Sequence, residues 1–237
     1  ALAYYNRGNV YSDKGDYACA IVDYTEAIRL DQNYAKAYNN RGNAYAKKGD
    51  YVQAITDFTQ AVRLNPSDAL VYTNRGAAYL GKGDYMQAIE DCTKALKLDP
   101  NNEKAKVALK MARKQGRQAE IDAFLKKGIL FAEQGDFDNS IVCFTDALKL
   151  APDDARAYGG RGATYFGKGD YDRALADFNQ AVRLDPKFAP TYVGRGTVYL
   201  DMGDCVRAAA DFTQTLKLDP NNTGAKEGLE IARRRGR

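Results

Sequence analysis

The pattern of residues 35–68, AKAYNNRGNAYAKKGDYVQAITDFTQAVRLNPSD, returns along the chain every 34 residues. Counted from residue 1, glycine fills the eighth slot as Gly8, Gly42, Gly76, Gly128, Gly162 and Gly196. The pair at slots 15 and 16 recurs as Gly15-Asp16, Gly49-Asp50, Gly83-Asp84, Gly135-Asp136, Gly169-Asp170 and Gly203-Asp204. Six copies of one unit describe an array: no copy can bury its apolar face alone, and stacked neighbours share one continuous core.

Within a copy, Tyr38, Gly42 and Tyr45 share one face at helical spacing, and Ala54, Phe58 and Ala61 do so further on. This predicts two amphipathic helices. Lys48-Gly49-Asp50 stops one and starts the other, because glycine tolerates the left-handed conformation and aspartate caps free amides. Gln53 and Gln87, three residues after Asp50 and Asp84, stand at the spacing of a reciprocal capping box. Pro66 ends the second helix. A glycine inside a helix costs about 1 kcal/mol against alanine, so Gly42 and its equivalents imply close helix approach, with Tyr45, Phe58 and Leu64 packed around Gly42, Ala54 and Ala61.

The run Tyr-x3-Gly-x2-Tyr, then Gly-Asp-Tyr, then Ala, Phe, Ala and a terminal Leu-Asp-Pro resembles the tetratricopeptide repeat, 34 residues of helix-turn-helix. The resemblance covers residues 1–102 and 121–222. Tyr4, Tyr38, Tyr72, Phe124, Tyr158 and Tyr192 occupy the family's tryptophan slot, and arginine replaces its usual leucine in five copies. The resemblance implies an all-α, right-handed superhelical solenoid that binds proteins rather than one fixed partner. The arginine-glycine pairing is similar to that of bacterial arrays. The family includes co-chaperones that clamp a chaperone's C-terminal carboxylate with lysine, asparagine and arginine. Asn9 and Asn40 match two of those slots, but Tyr5, Leu70 and Asn74 stand where that clamp carries basic residues, which argues against a chaperone tail.

Composition narrows the classes further. The chain is 45% apolar and 28% charged with a net charge of +4, the profile of an ordinary soluble protein that does not demand nucleic acid. No apolar run is long enough to insert into a membrane. The chain opens on Ala1 already in register with the repeat, and no signal peptide is visible; this suggests processing or trimming, with the compartment open and the cytoplasm favoured. Histidine is absent, which removes Ser-His and Cys-His nucleophiles, and Cys19, Cys92, Cys143 and Cys205 lack zinc or redox spacing. No cofactor, metal or catalytic activity is expected.

Repeats at 1–34, 35–68 and 69–102 lead into a helix at 103–117 whose Ala105, Ala108, Leu109 and Ala112 form a narrow apolar stripe. Such a helix closes the open end of a stack. The plan is replayed at an offset of 120 residues, with repeats 121–154, 155–188 and 189–222 and a second cap at 223–237, so that Asn101 matches Asn221 and Arg117 matches Arg237. Two modules result, 1–117 and 118–237. Gly116 is expected to stop the first cap; the alternative is one bent helix over 103–134.

Arg7, Arg41, Arg75, Arg161 and Arg195 accompany Asp23, Asp57, Asp91, Asp177 and Asp211 on the two helices of the same copy. The fourth copy carries Lys127 and Cys143 instead, having lost both members together. Joint presence and joint loss point to a bidentate ion pair inside each copy, rather than arginines reading an acidic ligand.

The first helices should line the inner face of a curved stack. In the first module that face presents Tyr5, Asn6, Asn9, Lys36, Asn39, Asn40, Asn43, Lys47 and Asn74, where side-chain amides could hold the backbone of an extended peptide. In the second it presents Leu125, Lys126, Ile129, Arg156, Gly159, Gly160, Ala163, Phe166, Val193, Gly194 and Thr197, a more apolar surface opening around paired glycines. A non-catalytic scaffold for peptide segments of partner proteins is the leading reading. Self-assembly through the same groove is a second. A third is binding of nucleic acid or an acidic surface by Lys104, Lys106, Lys110, Arg113 and Lys114 and by Arg233, Arg234, Arg235 and Arg237; charge runs on caps are ordinarily solvation, which makes nucleic acid the least expected partner.

Overall fold

The computed structural model describes residues 1–236, and Arg237 lies outside them. Among the described residues there are thirteen α-helices and no strand: α1 (Leu2–Asp13), α2 (Tyr17–Leu30), α3 (Ala35–Lys47), α4 (Tyr51–Leu64), α5 (Ala69–Lys82), α6 (Tyr85–Leu98), α7 (Glu103–Glu133), α8 (Phe137–Leu150), α9 (Ala155–Gly167), α10 (Tyr171–Leu184), α11 (Ala189–Asp201), α12 (Cys205–Leu218) and α13 (Thr223–Arg235). The chain forms two compact units, Ala1–Gly116 and the residues from Arg117 on.

Every hairpin turns the same way because the turn glycine takes a positive φ, 79° at Gly15 and 82° at Gly49, where a side chain would be strained. The aspartate that follows restarts the chain: Asp50 accepts from the Gln53 N–H at 3.1 Å and Asp16 from that of Cys19 at 3.0 Å. Asp84 departs from this. It makes no side-chain cap, its carboxylate instead accepting from Lys82 Nζ at 2.7 Å. The reciprocal box expected with Gln53 and Gln87 forms at neither, because the Asp50 and Asp84 N–H groups donate to the Tyr45 and Tyr79 carbonyls.

Inside each hairpin the glycine at slot eight earns its place by contact. A Cβ on Gly42 would come 2.8 Å from Phe58, and one on Gly8 2.7 Å from Tyr24. Ala54, Phe58 and Ala61 have no exposed surface, so the helices meet through small residues around one large ring. In the first unit each helix packs on the next, and α1 also touches α3 as α3 touches α5; in the second, α9 touches α11 and α11 touches α13. First helices are therefore neighbours within a unit and build one face together.

The stop expected at Gly116 is not found: α7 is helical through it. Gly116 does not take a positive φ, and its flanks, Arg113 to Gln115 and Arg117 to Glu120, are helix formers without proline. Its lack of a side chain answers to packing, since a Cβ there would meet Tyr85 Cβ at 3.1 Å. The alanines of the apolar stripe ahead of it are buried, with Ala105 and Ala112 at 0%, while Leu109 is half-buried, and the side chain of Asn102 caps the Ala105 N–H at 3.0 Å.

Candidate functional site

The paired arginines stand beside the first-helix face and are not free to act on it. Arg41 Nε and Nη2 donate to Asp57 Oδ2 and Oδ1 at 2.8 and 2.7 Å, and Arg75 with Asp91, Arg161 with Asp177 and Arg195 with Asp211 repeat the geometry within 2.7–2.9 Å. Arg7 holds Asp23 the same way at 2.7 Å, but 60% of its side chain is exposed against 17% for Arg41. Burial opposes the charge on Arg41, and the hydrogen bonds and charge of Asp57 outweigh it, raising the guanidinium's pKa. Each of these five arginines also lies over the tyrosine three residues before it, 5.4–5.7 Å from the ring centre.

A further contact was hidden from sequence comparison. Arg41 Nη1 donates to Thr25 Oγ1 of the preceding copy at 2.9 Å, Arg75 to Thr59 and Arg161 to Thr145 at 3.2 Å, and Arg195 to Asn179 Oδ1 at 2.7 Å. One guanidinium thus joins both helices of its own hairpin to the hairpin before.

In the first unit the face carries amides bonded to one another. Asn74 donates to Asn39 at 3.0 Å, Asn39 to Asn40 at 3.1 Å, and Asn40 to Asn9 at 2.9 Å, while Tyr24 Oη donates to the same Asn9 oxygen at 2.8 Å. Asn40 also reaches the Tyr5 hydroxyl at 3.1 Å. Asn39 is 9% exposed, so its amide belongs to this ladder more than to solvent. Burial raises the Tyr24 phenol's pKa, an effect that the nearby Asn40 and Ser12 side chains partly offset. Two open cavities flank the ladder. One of about 340 Å³ is lined by Asn9, Ser12, Asp13, Tyr24, Asn40 and Asn43; another of about 540 Å³ takes in Asn43, Lys47, Phe58, Leu70, Asn74 and Lys104. Asn6 and Lys36 are exposed and line neither.

The second unit carries a different surface. A cavity of about 660 Å³ opens on the first-helix face, walled by Leu125, Ile129, Ala163, Phe144, Phe178, Phe188, Pro190 and Thr191 with Gly159, Gly160 and Gly194, and rimmed by Asp122, Lys126 and Arg156. Its floor is made by second-helix rings. A Cβ on Gly160 would lie 2.4 Å from Phe144, and one on Gly194 2.5 Å from Phe178, so glycine is what leaves those ring edges uncovered. Arg156 is held by Asp154 at 2.6 Å and Asp122 at 3.1 Å, and Asp154 is drawn below its ordinary pKa by Arg156 despite a burial effect that pushes it up. Phe166 does not reach the cavity; its ring lies 5.9 Å from that of Tyr171 and packs in the core around Phe178. Val193 and Thr197 also stay outside it, Thr197 Oγ1 donating to the Val193 carbonyl at 2.9 Å.

The contribution of Phe144, Phe178 and Thr191 was missed from sequence, although a signal existed. Slot 24 of one copy lies under slot six of the next: Tyr24 with Asn40 and Phe58 with Asn74 in one unit, Phe144 with Gly160 and Phe178 with Gly194 in the other. The terminal charges stand on exposed helix surface: Lys104, Lys106, Lys110, Arg113, Lys114, Arg233, Arg234 and Arg235 are all exposed, with Lys106 paired to Glu103 and Arg234 to Glu230. Among the described residues no cluster of His, Cys, Asp and Glu could hold a metal, and no helix is long and apolar enough to cross a membrane.

Family models described as tetratricopeptide repeat match residues 35–68, 69–102 and 125–187, and one described as TPR repeat matches residues 8–49. No curated protein matches the chain. Among solved structures, the TPR2AB domain of yeast Sti1 in its complex with pHSP90 is 25% identical, with a TM-score of 0.50 over 99% of this chain and 98% of that one. A tetratricopeptide repeat protein of Parabacteroides merdae is 25% identical over 97% of this chain and 83% of its own, with a TM-score of 0.45.

Proposed function

The chain belongs to the tetratricopeptide repeat family, and from that premise we propose that it is a non-catalytic scaffold that binds extended segments of partner proteins along the first-helix face of each unit. The observation that carries this reading is the cavity of about 660 Å³ on that face in the second unit, apolar in its walls and charged at its rim. That is the pattern of a pocket for an anchoring side chain. The similar Sti1 structure, a complex with pHSP90, supports a protein partner in kind.

The reading does not extend to a chaperone tail. Tyr5, Leu70 and Asn74 supply no positive charge where such a clamp needs it, and Asn40, Asn39 and Asn74 spend an amide donor on a neighbour. Besides the exposed Lys36 and Lys47, what remains on the first unit's face is neutral hydrogen-bonding capacity: Asn43 makes no side-chain hydrogen bond among the described residues and borders both cavities there. Neutral amides suit the backbone of an extended segment and discriminate little between side chains.

Selection of a displayed random-peptide library on the immobilised chain tests this. Enriched peptides should lose binding to Ile129→Asp, a change at a residue 52% exposed on the second face, or to the Asn9, Asn40, Asn43 triple alanine variant. A selection that enriches nothing, or peptides indifferent to both variants, overturns the proposal.

A further inference from the structure

The second unit's cavity contains a feature that specifies its occupant more narrowly than apolarity does. Thr191 is 1% exposed, lines the cavity, and its Oγ1 is a buried side-chain oxygen with no hydrogen-bond partner. Other threonines on first helices are bonded: Thr73 donates to the Ala69 carbonyl and accepts from Asn102, and Thr164 donates to the Gly160 carbonyl. Buried hydroxyls in native structures are almost always paired, so an orphan in a cavity wall points to a partner that arrives with a ligand. The hydroxyl is closed to solvent while the cavity is empty, and it lies behind Gly159 of the lining, whose Cβ position is 3.8 Å from both the Thr191 hydroxyl and the Phe188 ring. A ligand group therefore meets it only as the Thr191 side chain turns outward.

We propose that this cavity receives an aromatic side chain with a polar edge, an indole or a phenol, presented by an extended partner segment, and that Thr191 takes the polar edge. The inference rests on the reading of the first-helix face as a peptide site. The ring edges of Phe144 and Phe178, uncovered by Gly160 and Gly194, with Phe188 beside them, offer the offset and edge-on contacts that aromatic rings prefer. A void of about 660 Å³ accommodates such a ring and part of the chain that carries it. The rim adds a charge requirement. Arg156 is satisfied by Asp154 and Asp122, whereas Lys126 pairs with no carboxylate among the described residues, so an acidic residue next to the anchor completes it.

The chain contains no tryptophan, which makes a tryptophan-bearing probe separately observable by fluorescence. The probe is the blocked tetrapeptide acetyl-Ala-Glu-Trp-Ala-amide, with its tyrosine and phenylalanine analogues as competitors, titrated against the full chain. The indole emission should shift to the blue and saturate, and the phenylalanine analogue should bind about tenfold more weakly. Ala163→Leu, which fills the cavity from an exposed position, should abolish the shift with circular dichroism unchanged. Thr191→Val should bring the tryptophan probe down to the phenylalanine analogue's affinity and leave that analogue unaffected. No shift with the wild type, a shift that survives Ala163→Leu, or an unchanged tryptophan-to-phenylalanine ratio in Thr191→Val overturns the assignment. If library peptides bind the face while the tryptophan probe does not, this inference alone falls; if neither binds, the peptide-binding reading falls with it.

Discussion

Asp57→Asn tests whether the arginine-aspartate pairs hold the array together. Asp57 is 3% exposed and takes two charge-assisted hydrogen bonds from Arg41, whose own side chain is 17% exposed. Asparagine keeps one acceptor but turns an amide donor toward the guanidinium and removes the charge that compensates a mostly buried cation. Breaking a buried pair costs about 3–5 kcal/mol; the acceptor retained and the part of Arg41 still wetted reduce this to about 2–3 kcal/mol. Arrays open locally, so the assay is native-state hydrogen exchange at the amides of α3 and α4, where that loss accelerates exchange about 30- to 150-fold. Asp23→Asn is the internal control: Arg7 is 60% exposed and can turn to water, so its loss should be much smaller. Arg41→Met combined with Asp57→Leu should recover at least half of the loss, because no charge is then stranded. Acceleration below about fivefold, or equal effects at Asp57 and Asp23, would refute the reasoning.

The remaining expectations concern packing and titration. Gly42→Ala places a methyl 2.8 Å from a fully buried Phe58 ring and should destabilise the first unit by about 1–3 kcal/mol, read by the same exchange experiment. Thr191→Val, in the absence of ligand, should stabilise the second unit by about 1 kcal/mol, and a lowered melting midpoint would mean the hydroxyl has a partner after all. Cys92 has no exposed surface and its thiol is pushed up to about 11 by burial and then by Asp91, so at pH 8 only about one in a thousand is ionised; exposed Cys19, although Asp16 also raises its thiol, should be alkylated before Cys92, as mass spectrometry of partially labelled protein would show. The carboxyls of Asp170 and Asp204 are held below their ordinary 3.8, first by the backbone N–H groups of Arg173 and Arg207 and then by the side chains of those arginines. Their contribution is complete above the unfolded value and fades as pH falls through the folded ones. The melting midpoint should therefore drop from about pH 4 downward, and by less in a double Asp170→Asn, Asp204→Asn variant.

The hairpins were legible because their signals are local. Gly49 followed by Asp50 specifies a left-handed stop and a cap within a few residues, and Gly42 against Phe58 recurs often enough in one chain to expose its spacing. The helix through Gly116 was misread for the converse reason: an isolated glycine is ambiguous, and Tyr85, the side chain it makes room for, lies on another helix. The asparagine face was legible as polar. That Asn74, Asn39, Asn40 and Asn9 are tied together was not, since an amide's partner depends on the distance between neighbouring copies. Phe166 looked like a groove residue by slot, yet its ring turns toward Tyr171, a choice made by packing around a helix end rather than by periodicity.

What the sequence by itself determined is the repeating hairpin: helix length, turn, cap and the small-large alternation at each contact, all set by residues within one 34-residue copy. The tertiary structure alone decided what the copies make jointly. Thr25 reaches Arg41, Phe144 and Phe178 come to floor a cavity, and Thr191 is left without a hydrogen-bond partner in its wall. The physical reason is range. Backbone conformation and capping are settled over a few residues, whereas a cavity and an unsatisfied hydroxyl are sums over side chains from several helices, each of which is unremarkable in its own copy.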